Sequence, residues 1–130
     1  MNIVDFAAGL AHIGIPTDNL EETLLFYTEL GFEVEHINKD PANDHRVYFL
    51  RLGDIQIETY EDDAPAKCHG AIEHLAIKVT DIDAVYNLAC KRGLNTLDDE
   101  IHFLPYWENG VKYFTIEGPN KEKVEFAQVL

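Results

Sequence analysis

An α+β fold built from two tandem β-α-β-β-β modules is predicted by three features of this sequence. The first is an internal repeat. AHIGIPTDNLEETLLFYTELGFEVE (11–35) is echoed by EHLAIKVTDIDAVYNLACKRGLNTL (73–97), and 62 positions separate both His12 from His74 and Gly31 from Gly93. The second is a later echo, VYFLRLGDIQIE (47–58) against KYFTIEGPNKEKVE (112–125). It sets Tyr48-Phe49 on Tyr113-Phe114, Gly53 on Gly118 and Glu58 on Glu125. The third is the order of periods, because in each half one helical pattern follows a first alternating run and precedes the others. A chain of 130 residues is one domain's worth. Each half is too short to bury a core alone, so residues 1–130 read as a single domain of two modules, about 8–62 and about 70–130, sharing one sheet or core.

The elements follow in order. LAHIGI (10–15) reads as a short strand. Asp18, with Glu21 three residues on, has the form of a helix cap, and Leu20, Leu24, Tyr27 and Leu30 recur at helical spacing up to Gly31, where a terminating glycine belongs. FEVEHI (32–37) alternates as a strand does, NKDPANDH (38–45) is turn chemistry, and RVYFLRL and IQIETY flank a Gly53-Asp54 hairpin. EDDAPAKCHG (61–70) resembles a linker. IEHLAIKV (72–79) then reads as a strand, and Asp81–Arg92 as a helix with Ile82, Val85 and Ala89 on one face and Gly93 after it. A weaker strand is expected near Asn95–Glu100, a loop at His102–Gly110, and a final hairpin of VKYFTIE and KVEFAQV around GPNKE.

Composition excludes several roles. With 24 acidic against 10 basic residues the net charge is −14, which repels phosphate backbones and anionic lipid. No nucleic-acid partner and no membrane partner are expected. Cys68 and Cys90 are too few for a disulfide framework and lack CxxC spacing, which fits a reducing compartment. No apolar run is long enough to span a bilayer and the first nine residues lack signal-peptide character, so a cytoplasmic location is expected.

Strand alternation concentrates the chemistry. Ile13 and Ile15 share one face while His12 shares the other with Leu10 and Gly14, and Leu75, Ile77 and Val79 likewise oppose His74. Ile57 opposes Glu58, and Val124 and Phe126 oppose Glu125. The bulky rows are natural packing surfaces for the two helices, which leaves His12, Glu58, His74 and Glu125 on the other face among small neighbours. A lone strand His or Glu is ordinarily hydrogen-bonded or solvated. Two of each at matched repeat positions instead suit a divalent cation such as Zn, Ni, Co, Mn or Fe, with room for water or substrate. His102, Tyr106, Trp107 and Tyr113 read first as core or rim packing and only second as lining for the mouth of such a cup, and Gln56 and Tyr60 share the face of Glu58. Arg46 and Arg51 read as exposed, and His36, His45 and His69 as surface residues without repeat partners.

HIGIPTDNLEETLLFYTELGFEV, IETY, EHLAIKVTDI and FTIEGPNKEKVEFAQ together resemble the vicinal oxygen chelate superfamily, the glyoxalase I, bleomycin-resistance and extradiol dioxygenase group. The resemblance covers nearly the whole chain. It implies the glyoxalase/bleomycin-resistance fold, in which two βαβββ modules form an open curled mixed sheet, commonly in a homodimer. It also implies that His12, Glu58, His74 and Glu125 are metal ligands. The activity implied is a metal-dependent glyoxalase-like lyase or isomerase that handles a small-molecule substrate with vicinal oxygens through an enediolate, with Glu125 or Glu58 as the proton-transferring catalytic carboxylate. The alternative implied by the same fold is a non-catalytic protein that sequesters a small molecule, as bleomycin-resistance proteins do. Glutathione-using members carry an Arg where this chain has Pro16 and an Asn where it has Asp62, so lactoylglutathione lyase activity itself is not implied. Fosfomycin-resistance enzymes resemble the chain in fold, but their phosphonate-binding basic residues have no convincing counterpart here.

Overall fold

The computed structural model describes residues 2, 5, 6 and 12–130. The chain divides into two compact units, Met1–Pro65 and Ala66–Leu130. Unit 1 contains β1 (Ile13–Thr17), α1 (Leu20–Glu29), β2 (Glu33–Lys39), β3 (Arg46–Leu52) and β4 (Ile55–Glu61). Unit 2 repeats the order with β5 (Leu75–Lys78), α2 (Ile82–Lys91), β6 (His102–Leu104), β7 (Val111–Glu117) and β8 (Lys123–Val129). Each unit holds one four-stranded mixed sheet, β1-β4-β3-β2 in the first and β5-β8-β7-β6 in the second. The first strand of each unit runs parallel to its last strand, and the other pairings are antiparallel. This is the α+β, twice-βαβββ architecture that the repeat predicts.

Both helices end as their glycines require. Gly31 (φ 108°) and Gly93 (φ 69°) follow the last helical residues with positive φ. In α1 the Gly31 N–H reaches Thr28 O and the Phe32 N–H reaches Tyr27 O; in α2 Gly93 reaches Cys90 O and Leu94 reaches Ala89 O. Each is the doubly bonded stop that a left-handed residue makes possible. The start of α1 lies one residue later than expected. Asn19, not Asp18, is the cap, because its side chain accepts from the Glu22 N–H at 3.1 Å. Asp81 caps α2 in the same way, accepting from the Ala84 N–H.

The apolar row of each sheet packs against its helix as the alternation predicts. Leu20, Tyr27, Leu50 and Ile57 are buried in unit 1, and Ile82, Ala89, Phe114, Ile116, Val124 and Phe126 in unit 2. Three expectations need correction. Residues 95–100 form no strand but a single bridge, Asn95 to Glu117, because Leu97 and Asp98 both take left-handed backbone, which breaks a ladder. The expected loop at 102–110 opens instead with β6, a three-residue edge strand that pairs with β7 and ends before Pro105, a residue that cannot donate to a ladder. The Tyr-Phe echo is one residue out of structural register. Phe49 lies opposite Glu58, whereas Thr115, not Phe114, lies opposite Glu125.

Candidate metal and ligand site

Neither histidine lies within a strand as expected; each stands immediately before one, His12 before β1 and His74 before β5. Two residues on, Gly14 and Ala76 occupy matching stations beside Glu58 and Glu125 in the parallel pairings. Small residues there leave the space next to each carboxylate open. Leu10, expected on the face of His12, lies outside the described residues.

Each unit brings its own pair together. His12 Nε2 stands 3.9 Å from Glu58 Oε2, and His74 Nε2 stands 3.8 Å from Glu125 Oε2. These separations exceed a hydrogen bond. Two donors that each sit about 2.0–2.2 Å from one ion lie roughly 3–4 Å apart, so the spacing suits a shared cation. Among the described residues no group of three or more His, Cys, Asp or Glu side chains stands close enough to hold an ion. The donors come as pairs, one to a unit.

The second pair is propped from behind. Lys123 Nζ donates to Glu73 Oε1 at 2.6 Å, and His74 Nδ1 meets Glu73 Oε2 at 2.9 Å. Lys123 first, then His74, hold the Glu73 carboxyl down to about 2. An ionised carboxylate only accepts, so His74 Nδ1 donates to it and Nε2 is the nitrogen left facing Glu125. Carboxylate-backed imidazoles of this kind are the usual partners of a metal. Glu125 is partly buried. Burial pushes its carboxyl above the ordinary value, opposed by His74 and assisted by Glu73 and Asp99. The first pair has another setting, with the His12 ring meeting the edge of Phe49 at 5.8 Å.

A cavity of about 750 Å³ opens within unit 2 over His74 and Glu125. His102, Tyr106, Trp107 and Tyr113, singled out as candidates for the mouth of a cup, all line it. Asp99 and Thr115 also line it, and sequence reasoning did not single them out. Asp99 bonds His102 Nε2 through one oxygen and accepts the Thr115 N–H at 2.8 Å through the other. No periodicity signals such a bond; the acidic run Asp98–Glu100 was its only trace. Leu97, Asp98 and Trp107, all lining residues, hold φ of 54–59°. Non-glycine residues rarely adopt that conformation, and it gathers at functional sites.

Other expectations fall on both sides. Arg46 is not simply exposed, since its guanidinium bonds Glu21 at 2.8 Å and Glu61 at 3.1 Å. Arg51 is exposed but paired with Glu35, and His69 bonds Glu117 at 2.9 Å. Cys68 and Cys90 are free and exposed. Among the described residues no helix is long and apolar enough to cross a membrane.

Comparison with known proteins agrees with this architecture. The chain is 33% identical over 129 residues to the uncharacterized protein YwbC of Bacillus subtilis (strain 168), covering 94% of this chain and 98% of that one. It superposes on a glyoxalase family protein of Enterococcus faecalis with a TM-score of 0.74 at 26% identity, over 94% of this chain and 98% of the other. The fold also matches the genomically encoded fosfomycin resistance protein FosX of Listeria monocytogenes, solved with Mn(II) and sulfate. That TM-score is 0.71 at 15% identity, over 95% and 94% of the two chains. Residues 11–113 match the Glyoxalase/Bleomycin resistance protein/Dioxygenase superfamily. With its repeated βαβββ units and a His–Glu pair in each, the chain belongs to the glyoxalase/bleomycin resistance protein/dioxygenase superfamily.

Proposed function

We propose that this protein is a metal-dependent, glyoxalase-like lyase or isomerase acting on a small substrate with vicinal oxygens. The observation that carries the reading is the doubled His–Glu pair, 3.8–3.9 Å apart in each unit and set by the same register. Two imidazole nitrogens and two carboxylates form a donor set for Zn, Ni, Co, Mn or Fe, with His12, Glu58, His74 and Glu125 as the ligands. The bound ion would polarise a substrate oxygen as a Lewis acid.

The chain's own residues supply the rest. Glu73 and Lys123 hold His74 in the tautomer that presents Nε2. Glu125, beside a cavity able to admit a small molecule, is the group to take a proton from the carbon next to a carbonyl and return it to the neighbouring carbon. Glu58 stands in the equivalent place in unit 1. Pro16 and Asp62 replace the residues that would anchor glutathione, so the reading favours another oxygenated substrate. A homodimer is the assembly expected with it.

The test is the metal content of purified, untagged protein beside Glu125→Gln and His74→Ala. Near-stoichiometric metal in the parent and its loss in both variants is expected. A parent that stays empty after incubation with Ni²⁺, Zn²⁺ and Mn²⁺ would overturn the reading and favour a sequestering protein.

A further inference from the structure

We propose that Asp99 and His102 form a hydrogen-bonding station for a neutral, hydroxyl-bearing apolar small molecule held in the unit 2 cavity. The station is separate from the His74–Glu125 pair and needs no metal. His102 opens β6 opposite Tyr113 of β7, and its ring lies 5.1 Å from the Tyr113 ring at an interplanar angle of 32°. Asp99 reaches it from the preceding loop. One carboxylate oxygen takes His102 Nε2 while the other accepts the Thr115 N–H at 2.8 Å, so the aspartate is fixed by the sheet and fixes the imidazole in turn.

That arrangement determines what the ring offers. Burial pushes the Asp99 carboxyl up, but hydrogen bonds from His102 and from the Thr115 and Glu100 N–H groups outweigh it and hold the group below its ordinary value. The ionised carboxylate can only accept, so Nε2 carries the proton of the neutral ring and Nδ1 is left as an acceptor. An acceptor in a cavity calls for a ligand O–H. The carboxylates that line the cavity, Glu73, Asp98, Asp99 and Glu125, outnumber its one lysine, Lys123, which is itself paired with Glu73, and this balance disfavours an anionic ligand.

The rest of the wall suits an apolar body. Trp107 is 69% exposed and Tyr106 56%, and both line the cavity with Leu97, itself an exposed apolar residue. Large aromatic side chains left open at the rim of a concave site, with a few placed polar groups inside, describe a small-molecule pocket.

Trp107 is the only tryptophan in the chain, so intrinsic fluorescence reports occupancy of this cavity directly. The experiment titrates the full chain with 3-nitrophenol and with nitrobenzene, in EDTA, at a mildly alkaline pH. Saturable quenching by both is expected, with 3-nitrophenol bound about tenfold more tightly because only it can donate to Nδ1. His102→Phe keeps a ring against Tyr113 and removes the nitrogens; the preference should fall to near one while nitrobenzene binding stays unchanged. Asp99→Asn should reduce the preference by releasing the tautomer. His102→Gln serves in the same role if the phenylalanine variant does not fold. Equal binding of the two probes to the parent overturns the proposal. So does the absence of saturable quenching by either, or a preference that survives in a folded His102 variant. All readings are taken without metal, so failure here leaves the metal reading untouched, and an empty metal site leaves this proposal standing.

Discussion

The two units place a His–Glu pair at the same station of the same sheet and surround it differently. In unit 1 the residue opposite Glu58 is Phe49, whose ring meets His12 at 5.8 Å and His36 at 6.4 Å. In unit 2 the residue opposite Glu125 is Thr115, whose side chain is small and whose N–H is given to Asp99. There a cavity of about 750 Å³ lies over the pair. The histidines differ as well. His74 is backed by Glu73 and Lys123, and among the described residues His12 has no such carboxylate behind it, only the Phe49 edge. Register and donor atoms are common to both halves, while the surroundings have specialised. The cavity over the pair and the carboxylate-backed histidine both belong to unit 2.

The largest effect expected from this contrast is on stability, because Phe49 and Phe114 are partners in sequence but not in place. Phe114 is fully buried against Phe126 and Tyr86, whereas Phe49 is half-buried on the site face. Phe114→Ala should cost about 3–5 kcal/mol in denaturant unfolding, as truncation of a buried aromatic does. Phe49→Ala should cost less than half of that. Equal costs would mean that the register drawn between the two halves is wrong.

This pair of residues also shows what the sequence made legible. The repeat, the helices and their terminal glycines were readable because they rest on local rules: a 3.6-residue period, and a backbone position where φ turns positive. The face that Glu58 and Glu125 occupy was readable because alternation places every second strand residue on one side, whereas His12 and His74 stand just outside their strands, where alternation alone does not place them. The Tyr-Phe echo misled because identity of letters does not fix register. The hairpin connection is residues 53–54 in unit 1 and 118–122 in unit 2, and that odd difference in length sets Phe49 and Phe114 on opposite faces. β6 escaped notice because three residues before a proline carry no period at all. Glu73, Lys123, Asp99 and Thr115 escaped for another reason. Each acts through a hydrogen bond between residues far apart in the chain, or between a loop and a strand, and only the fold brings such partners together.

The next effect is on metal affinity and tests whether the prop behind His74 matters. Glu73→Gln removes the ionised acceptor that sets the His74 tautomer while leaving all four proposed ligands in place. Loss of such an outer carboxylate typically weakens metal binding 10–100-fold. Competition against a chelator of known affinity measures it. Phe49→Leu, the corresponding change behind His12, should shift affinity by less, since an apolar ring edge fixes no proton. A larger shift from Phe49→Leu than from Glu73→Gln would reverse the assignment of unit 2 as the better organised half.

The smallest effect concerns how the two helices begin, where the units reach one end by different residues. α1 is capped by a neutral amide, Asn19, and α2 by a carboxylate, Asp81, each accepting from an N–H three residues on at 3.1 Å. Their sheets complete the attachment in opposite fashion. Glu61 of β4 holds Arg46, which reaches Glu21 of α1, whereas Gln128 of β8 accepts the Ile82 N–H of α2 directly at 2.8 Å. Unit 1 pairs a neutral cap with an ionic tie, and unit 2 pairs an ionic cap with a neutral tie. Truncating either cap, Asn19→Ala or Asp81→Ala, should cost about 1 kcal/mol by thermal or denaturant unfolding. High salt separates the two ends further. It screens the interaction of the Asp81 charge with the helix dipole but leaves the amide of Asn19 alone, so the cost of Asp81→Ala should shrink with ionic strength while that of Asn19→Ala holds steady.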